Sequence, residues 1–222
     1  MKDRRGHDPV TTNKEQILAK LRNAVMEKPE AMFEDIDLRS DTWQPIKEED
    51  GNAITFVQKF KDMGGIFIYL ESEAELGECL RQLVPQNDWD PLWCASPEMQ
   101  ALLDKYGVNY STEPDTSVKK KVVSILPCDC LIAQTGSIVI TDGKAGSRKA
   151  YTDCDILLVT AHTSQITAGL KEAMQLLGER LGTPANTQAV ILTGPTQTYT
   201  IEQEPVKGVF GARQMAVFLV DD

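Results

Sequence analysis

Apolar residues along this chain switch between helical and strand spacing, and the switches predict most of its elements. Ile17, Leu18, Leu21 and Val25 recur at helical spacing and predict a helix over about Thr12–Met26. A polar, acidic stretch follows from Pro29 to about Asn52; with Phe33 and Trp43 as its anchors, it reads as an irregular connection. The main body starts near Ile54, where Ile54, Val57, Phe60 and Met63 suit one helical face and Gly64-Gly65 end it. Ile66–Leu70 is a short apolar run, read as a buried strand. Ser72 and Glu75 carry the spacing of a capping box, ahead of a helix facing inward through Leu76, Cys79, Leu80 and Leu83. The unit then repeats in kind. Leu92–Ala95 is a strand, Ser96-Pro97 start a helix bearing Met99, Leu102, Leu103 and Tyr106, and Gly107 closes it.

The second half changes character. Lys119-Lys120-Lys121 lead into Val122–Leu126, and Ile132–Ser137 into Ile138–Ile140. Asp142-Gly143 with Gly146 suggest a hairpin-like turn. Asp155–Thr160 is a buried strand. A long amphipathic helix is expected from about Ser164 to Leu181, with Ile166, Leu170, Met174, Leu177 and Leu181 inward and Gly182 and Pro184 as its stop. Ala189–Leu192 is read as a buried strand and Met215–Val220 as the last one. The alternation of strands and helices predicts an α/β fold with a mostly parallel sheet flanked by helices. The expected division is an N-terminal helix and irregular extension over 1–53, then one α/β domain over 54–222.

Composition narrows the function. At 222 residues the chain can bury a large core without disulfides or metals. Its net charge of −10 argues against a nucleic-acid duplex as partner, because phosphate binding needs a basic footprint. The charged start, Met1-Lys2-Asp3-Arg4-Arg5, has no apolar run behind it, and no segment is long and apolar enough to span a bilayer. The expectation is a cytoplasmic protein. Five cysteines without a secretion signal read as reduced thiols. Cys128-Asp129-Cys130 would place two thiols on one face of an extended segment, but no second Cys or His pair lies near enough in sequence for zinc. Neither metal nor cofactor is expected.

Two loops carry the candidate chemistry. In Thr193-Gly194-Pro195-Thr196-Gln197-Thr198, a strand runs into a small, hydroxyl-rich turn. Ligands of open α/β sheets bind beyond the carboxyl ends of strands, and such a turn offers hydroxyls and N–H groups to a phosphate or carboxylate. The competing reading is a turn that simply needs Gly and Pro. The second loop is Gln134-Thr135-Gly136-Ser137, where a glycine within a strand pattern marks a close backbone approach. Arg148, with its planar guanidinium, complements an anion better than Lys144 or Lys149. Glu202 is a candidate base or ligand contact, and His162 an acid–base group or a structural residue at a helix start.

These same segments carry a resemblance. Ala133-Gln134-Thr135-Gly136-Ser137-Ile138 is similar to the A-[DE]-T-G-[TS]-[IL] segment of the LutC/YkgG family, the LUD domains. Thr193–Glu202 resembles that family's T-G-P-S-R-T-A-D-I-E, and Val206–Ala212 its V-x-G-V-H-G-P. Gln197, Thr200, Phe210 and Ala212 replace the family's Arg, Asp, His and Pro. Thr152-Asp153-Cys154-Asp155 replaces its Pro-Pro-x-His, while Gly136, Arg148, Gly194, Glu202, Gly208 and Gly211 remain. The resemblance is strongest over about Cys130–Val220.

It implies a fold of the NagB/RpiA/CoA-transferase kind and a divergent LutC-like role in lactate utilisation. There, iron–sulfur subunits would be its partners in oxidising L-lactate to pyruvate. A small anionic ligand is expected at the two loops, and a homo-oligomer is compatible with the sequence. The alternatives are a sugar-phosphate isomerase or CoA-transferase-like enzyme, and a scaffold that has lost its site.

Overall fold

A computed structural model describes residues 13–26, 51–114, 121–181, 188–207 and 210–222. By its contacts the chain divides into one unit over Met1–Thr42 and another over Trp43–Asp222. In the first unit, α1 (Asn13–Met26) has the predicted spacing, and the side chains of residues 14–23 are exposed. Phe33, Trp43, Gly182, Pro184 and Gly208, to which the sequence gives roles, lie outside the described residues.

In the second unit, α2 (Gly51–Asp62) leads to β1 (Ile66–Leu70), α3 (Glu73–Gln86), β2 (Leu92–Trp93), α4 (Pro97–Tyr106) and β3 (Tyr110–Ser111). Then come β4 (Val123–Pro127), β5 (Cys130–Ile132), β6 (Ser137–Thr141) and two short helices, α5 (Asp142–Ala145) and α6 (Lys149–Thr152). After β7 (Ile156–His162), a single 3-10 turn and β8 (Ile166–Thr167) precede α7 (Leu170–Leu181). The chain ends with β9 (Ala189–Leu192), β10 (Gln197–Tyr199), β11 (Pro205–Lys207) and β12 (Gln214–Val220).

Six strands form an all-parallel sheet in the order β1-β12-β7-β4-β2-β3. A second, four-stranded sheet runs β8-β5-β6-β9, with β6 antiparallel to both neighbours. The predicted α/β class with a largely parallel sheet is the one observed.

Strand periodicity sorts the core into layers. On β7, Ile156 and Leu158 face α3 and α4, while Leu157, Val159 and Ala161 face α2, α6 and the second sheet. A smaller cluster of Cys130, Ile132, Val139, Ala173 and Leu177 joins the far face of the second sheet to α7.

Helix ends follow the sequence closely. The Ser72 hydroxyl accepts the Glu75 N–H at 3.2 Å, and the Glu75 carboxylate accepts the N–H of Glu71, one residue before the expected one. Gly107 closes α4 in the left-handed region, with φ of 65°.

Several expectations are corrected. Helix α2 buries Phe56 and Phe60, while Ile54 and Met63 remain exposed, so the inner face is rotated from the one predicted. Strand β1 is an edge strand with Ile66 and Tyr69 exposed, not a fully buried one. Asp142-Gly143 open a helical turn, because the Thr141 hydroxyl caps the Lys144 N–H; the hairpin lies one strand earlier, where residues 133–136 join β5 to β6. The long helix from Ser164 is shorter. Ile166 belongs to β8, paired with Leu131, and Leu170 and Met174 are about half exposed, leaving Ala173 and Leu177 inward. Strand β9 is an edge of the second sheet with alternating exposure rather than a buried strand.

Candidate functional site

The two candidate loops meet. Antiparallel pairing of Ile138 with Leu192 brings Ser137 beside Thr193, and their side-chain oxygens lie 2.8 Å apart. Thr135 extends the chain of hydroxyls, its Oγ1 lying 2.7 Å from the Ser137 Oγ. Ser137 is buried, whereas Thr193 is exposed.

The glycines have a different neighbour from the one a ligand loop would want. Gly136 has φ of +64°, and a Cβ there would lie 2.5 Å from the Phe60 nitrogen. Gly194 has φ of +75°, and a Cβ there would lie 2.8 Å from the Cβ of Met63. Both loops therefore close onto the C-terminal turn of α2 and the residue just after it. The close backbone approach is real, but a helix fills the space.

Beyond Gly194 the loop turns into a small hairpin. Pro195 is buried, and the Thr196 N–H donates to the Ala212 carbonyl at 2.9 Å. Gln197 and Thr198 belong to β10, paired with Lys207 and Val206. Both are exposed, as is Glu202 in the turn after them. Its own backbone N–H and the Thr200 hydroxyl hold the Glu202 carboxyl below the usual range. Gln134 is half-buried, and its N–H donates to Ala168.

Arg148 is placed elsewhere. Its guanidinium pairs with Asp142 at 3.3 Å, just beyond the end of β6 opposite Ser137, roughly 16 Å along the strand. Burial of Asp142 opposes its ionisation, but the Arg148 contact and the Gln188 N–H outweigh that and lower its pKa. Lys144 is paired with Glu98, and Lys149 is exposed.

A concave site lies at the carboxyl edge of the parallel sheet, where such sheets bind ligands. A cleft of about 330 Å³ opens there. Its floor is a row of strand ends in register: Pro127 of β4 opposite Thr160 of β7, and His162 of β7 opposite Val220 of β12. Glu73 and Leu76 of α3 form one wall, and Glu98, Met99, Leu102 and Lys105 of α4 the other. Lys105 donates to Glu73 at 2.7 Å across the mouth, and the Tyr106 hydroxyl reaches the same oxygen at 3.3 Å. The Lys105 contact is the main reason the Glu73 carboxyl ionises below its ordinary range.

On the floor, Thr160 is 7% exposed, and its hydroxyl donates to the Met99 sulfur at 3.9 Å, a weak acceptor. Gln165 seals the base. Its amide nitrogen donates to the Cys128 and Asp129 carbonyls and its oxygen accepts the His162 N–H. Sequence reasoning weighed His162 but missed Glu73, Lys105 and Thr160. The strand-end rule that pointed to β9 applies with more force to β4, β7 and β12.

The cysteines are packing groups. Cys128 and Cys130 sit in different core clusters rather than on one face. Burial pushes Cys94 and Cys154 up to about 12 and Cys130 to about 11. Among the described residues no group of three or more His, Cys, Asp or Glu side chains is placed to hold a metal, and no helix is long and apolar enough to cross a membrane.

Residues 121–220 match the model of the LUD domain, in agreement with the resemblance carried by the two loops. The crystal structure of a DUF162 family protein from Deinococcus radiodurans is similar in fold. It has a TM-score of 0.56 and 18% sequence identity, and the match covers 79% of this chain and 99% of that one. No curated protein matches the sequence significantly.

Proposed function

We propose that this protein acts in lactate utilisation, as a LutC-like component alongside iron–sulfur partner subunits that oxidise L-lactate to pyruvate. The match of residues 121–220 to the LUD domain carries this reading. We further propose that its small anionic ligand binds in the cleft at the carboxyl edge of the parallel sheet. Three observations support that place over the two loops. The cleft is concave, whereas the loops are closed by α2. Its two lining glutamates each have a lysine partner, so neither stands as an unpaired repulsive charge. The buried Thr160 supplies a hydroxyl whose partner among the described residues is a sulfur, a weak acceptor. The loops then brace the site's scaffold, and Arg148 acts at a distance from it.

Deleting the gene and growing the host on L-lactate tests the role. Loss of growth, restored by the intact gene, together with co-purification of iron–sulfur subunits, is the expected result. Undiminished growth on L-lactate with no such subunits recovered would refute it.

A further inference from the structure

The cleft is bordered by the starts of two helices, and each start carries its own carboxylate. Glu73 is the first residue of α3 and Glu98 lies in the first turn of α4. Helix starts favour negative charge, and a carboxylate there is stabilised whether it belongs to the chain or to a ligand. The two glutamates differ in what they hold. Glu98 is tied to Lys144, which the lining of the cleft does not include. Glu73 is tied to Lys105, and both of these line the cleft. Lys105 also lies over the Tyr106 ring, 5.0 Å from its centre, so its ammonium has a second contact that does not depend on Glu73. The Glu73–Lys105 pair is well exposed, and exposed pairs exchange partners at little cost.

We propose that Glu73 holds the place of a ligand carboxylate: a small monocarboxylic acid displaces it from Lys105, lays its short carbon chain against Leu76, Met99 and Leu102, and accepts the Thr160 hydroxyl on an oxygen next to its carboxylate. This rests on the reading of the cleft as the anion site. Glu73 is then a specificity-determining residue that sets a threshold affinity, since every ligand must compete with it. One carboxylate suffices because one lysine is released. A second anionic group on the ligand would meet Glu98 or the displaced Glu73.

The test is an NMR titration of the full chain with propionate, L-lactate, inorganic phosphate and n-butylamine. Glu73→Gln removes the competitor and leaves the helix start otherwise intact. It is expected to tighten propionate and L-lactate about two- to fivefold, the equivalent of losing one exposed ion pair. Lys105→Met is expected to weaken both at least tenfold, and Thr160→Val to weaken L-lactate more than propionate. Glu78→Gln, which removes a charge from α3 away from the cleft, is expected to change nothing. The proposal is overturned if Glu73→Gln weakens carboxylate binding or leaves it unchanged, if Glu78→Gln tightens it equally, or if butylamine binds and Glu73→Gln abolishes that. If no anion binds to any form, the anion site itself falls with it. If anions bind and Lys105→Met weakens them while Glu73→Gln is neutral, only the role given to Glu73 falls.

Discussion

The side-chain oxygens of Ser137 and Thr193 lie 2.8 Å apart, joining two loops that are 56 positions apart in sequence. With Thr135 they form a row of hydroxyls whose middle member is buried. Replacing Ser137 by Ala strips the partner from two hydroxyls at once and is expected to cost about 1–2 kcal/mol of stability. Ligand affinity is expected to stay within twofold of wild type, since the cleft lies at the other sheet. Chemical denaturation and the anion titration, run on the same variant, check both. A large loss of affinity at unchanged stability would return the ligand to the loops.

Gly136 and Gly194 are expected to resist substitution because of α2. Alanine at either position meets a backbone in the left-handed region and atoms of Phe60 or Met63 well inside contact distance. Strain and overpacking together are expected to cost about 2–4 kcal/mol per site. Urea unfolding midpoints measure this. A loss under about 0.5 kcal/mol would mean that α2 does not press on these loops.

How legible was this in the sequence? The elements with local chemistry at their ends were readable. Ser72 with Glu75, and Gly107, mark helix ends by hydrogen bonds made within a few residues, and Pro97 marks one by its fixed φ at the first helical position although Ser96 makes no side-chain cap bond, so no tertiary knowledge is needed. Faces were harder. Ile54 and Met63 have the right spacing but are exposed, whereas Phe56 joins the expected Phe60 inside, the two rings stacked 5.5 Å apart and filling more of the core. Ile166 matched a helical period but joins β5, a contact with residues more than thirty positions away. The candidate loops and the candidate cleft differ in legibility. The loops are marked by motif, but the pairing of Ile138 with Leu192 that sets them side by side is not. The cleft was hidden because its walls come from α3 and α4 and its floor from β4, β7 and β12, and only topology brings these together.

Thiol reactivity separates the core from the surface. Cys94, Cys128, Cys130 and Cys154 are buried, and burial raises the pKa of each thiol. At pH 8 a colourless-to-yellow disulfide reagent is expected to modify at most the half-buried Cys79 in the native protein, and all five thiols in denaturant. Rapid native reaction of a second thiol would contradict the packing of these clusters.

Acid stability has a local contribution at Asp222. The Ser164 hydroxyl, the Thr163 hydroxyl and the Ser164 N–H hold its carboxyl at about 2, against an ordinary 3.8. A pKa depressed on folding stabilises the fold above the unfolded value and loses that effect as pH falls through the folded one. Wild type is therefore expected to exceed Asp222→Ala in melting temperature by a constant margin above about pH 5. The margin is expected to shrink between about pH 4 and pH 2. A margin that stays constant down to pH 2 would show that these hydrogen bonds do not favour the ionised form.

The floor of the cleft lies inside the LUD match at 121–220, while both walls, from Glu73 to Lys105, lie outside it. Two proteins can then share the LUD domain residue for residue at the floor and still differ in diet. Divergence at the wall positions of α3 and α4 would retune what is accepted while leaving the floor strands β4, β7 and β12 unchanged. Exchanging the wall residues of α3 and α4, from Glu73 and Leu76 to Glu98, Leu102 and Lys105, between homologues is the corresponding engineering route, and ligand preference should travel with those residues rather than with the family motifs.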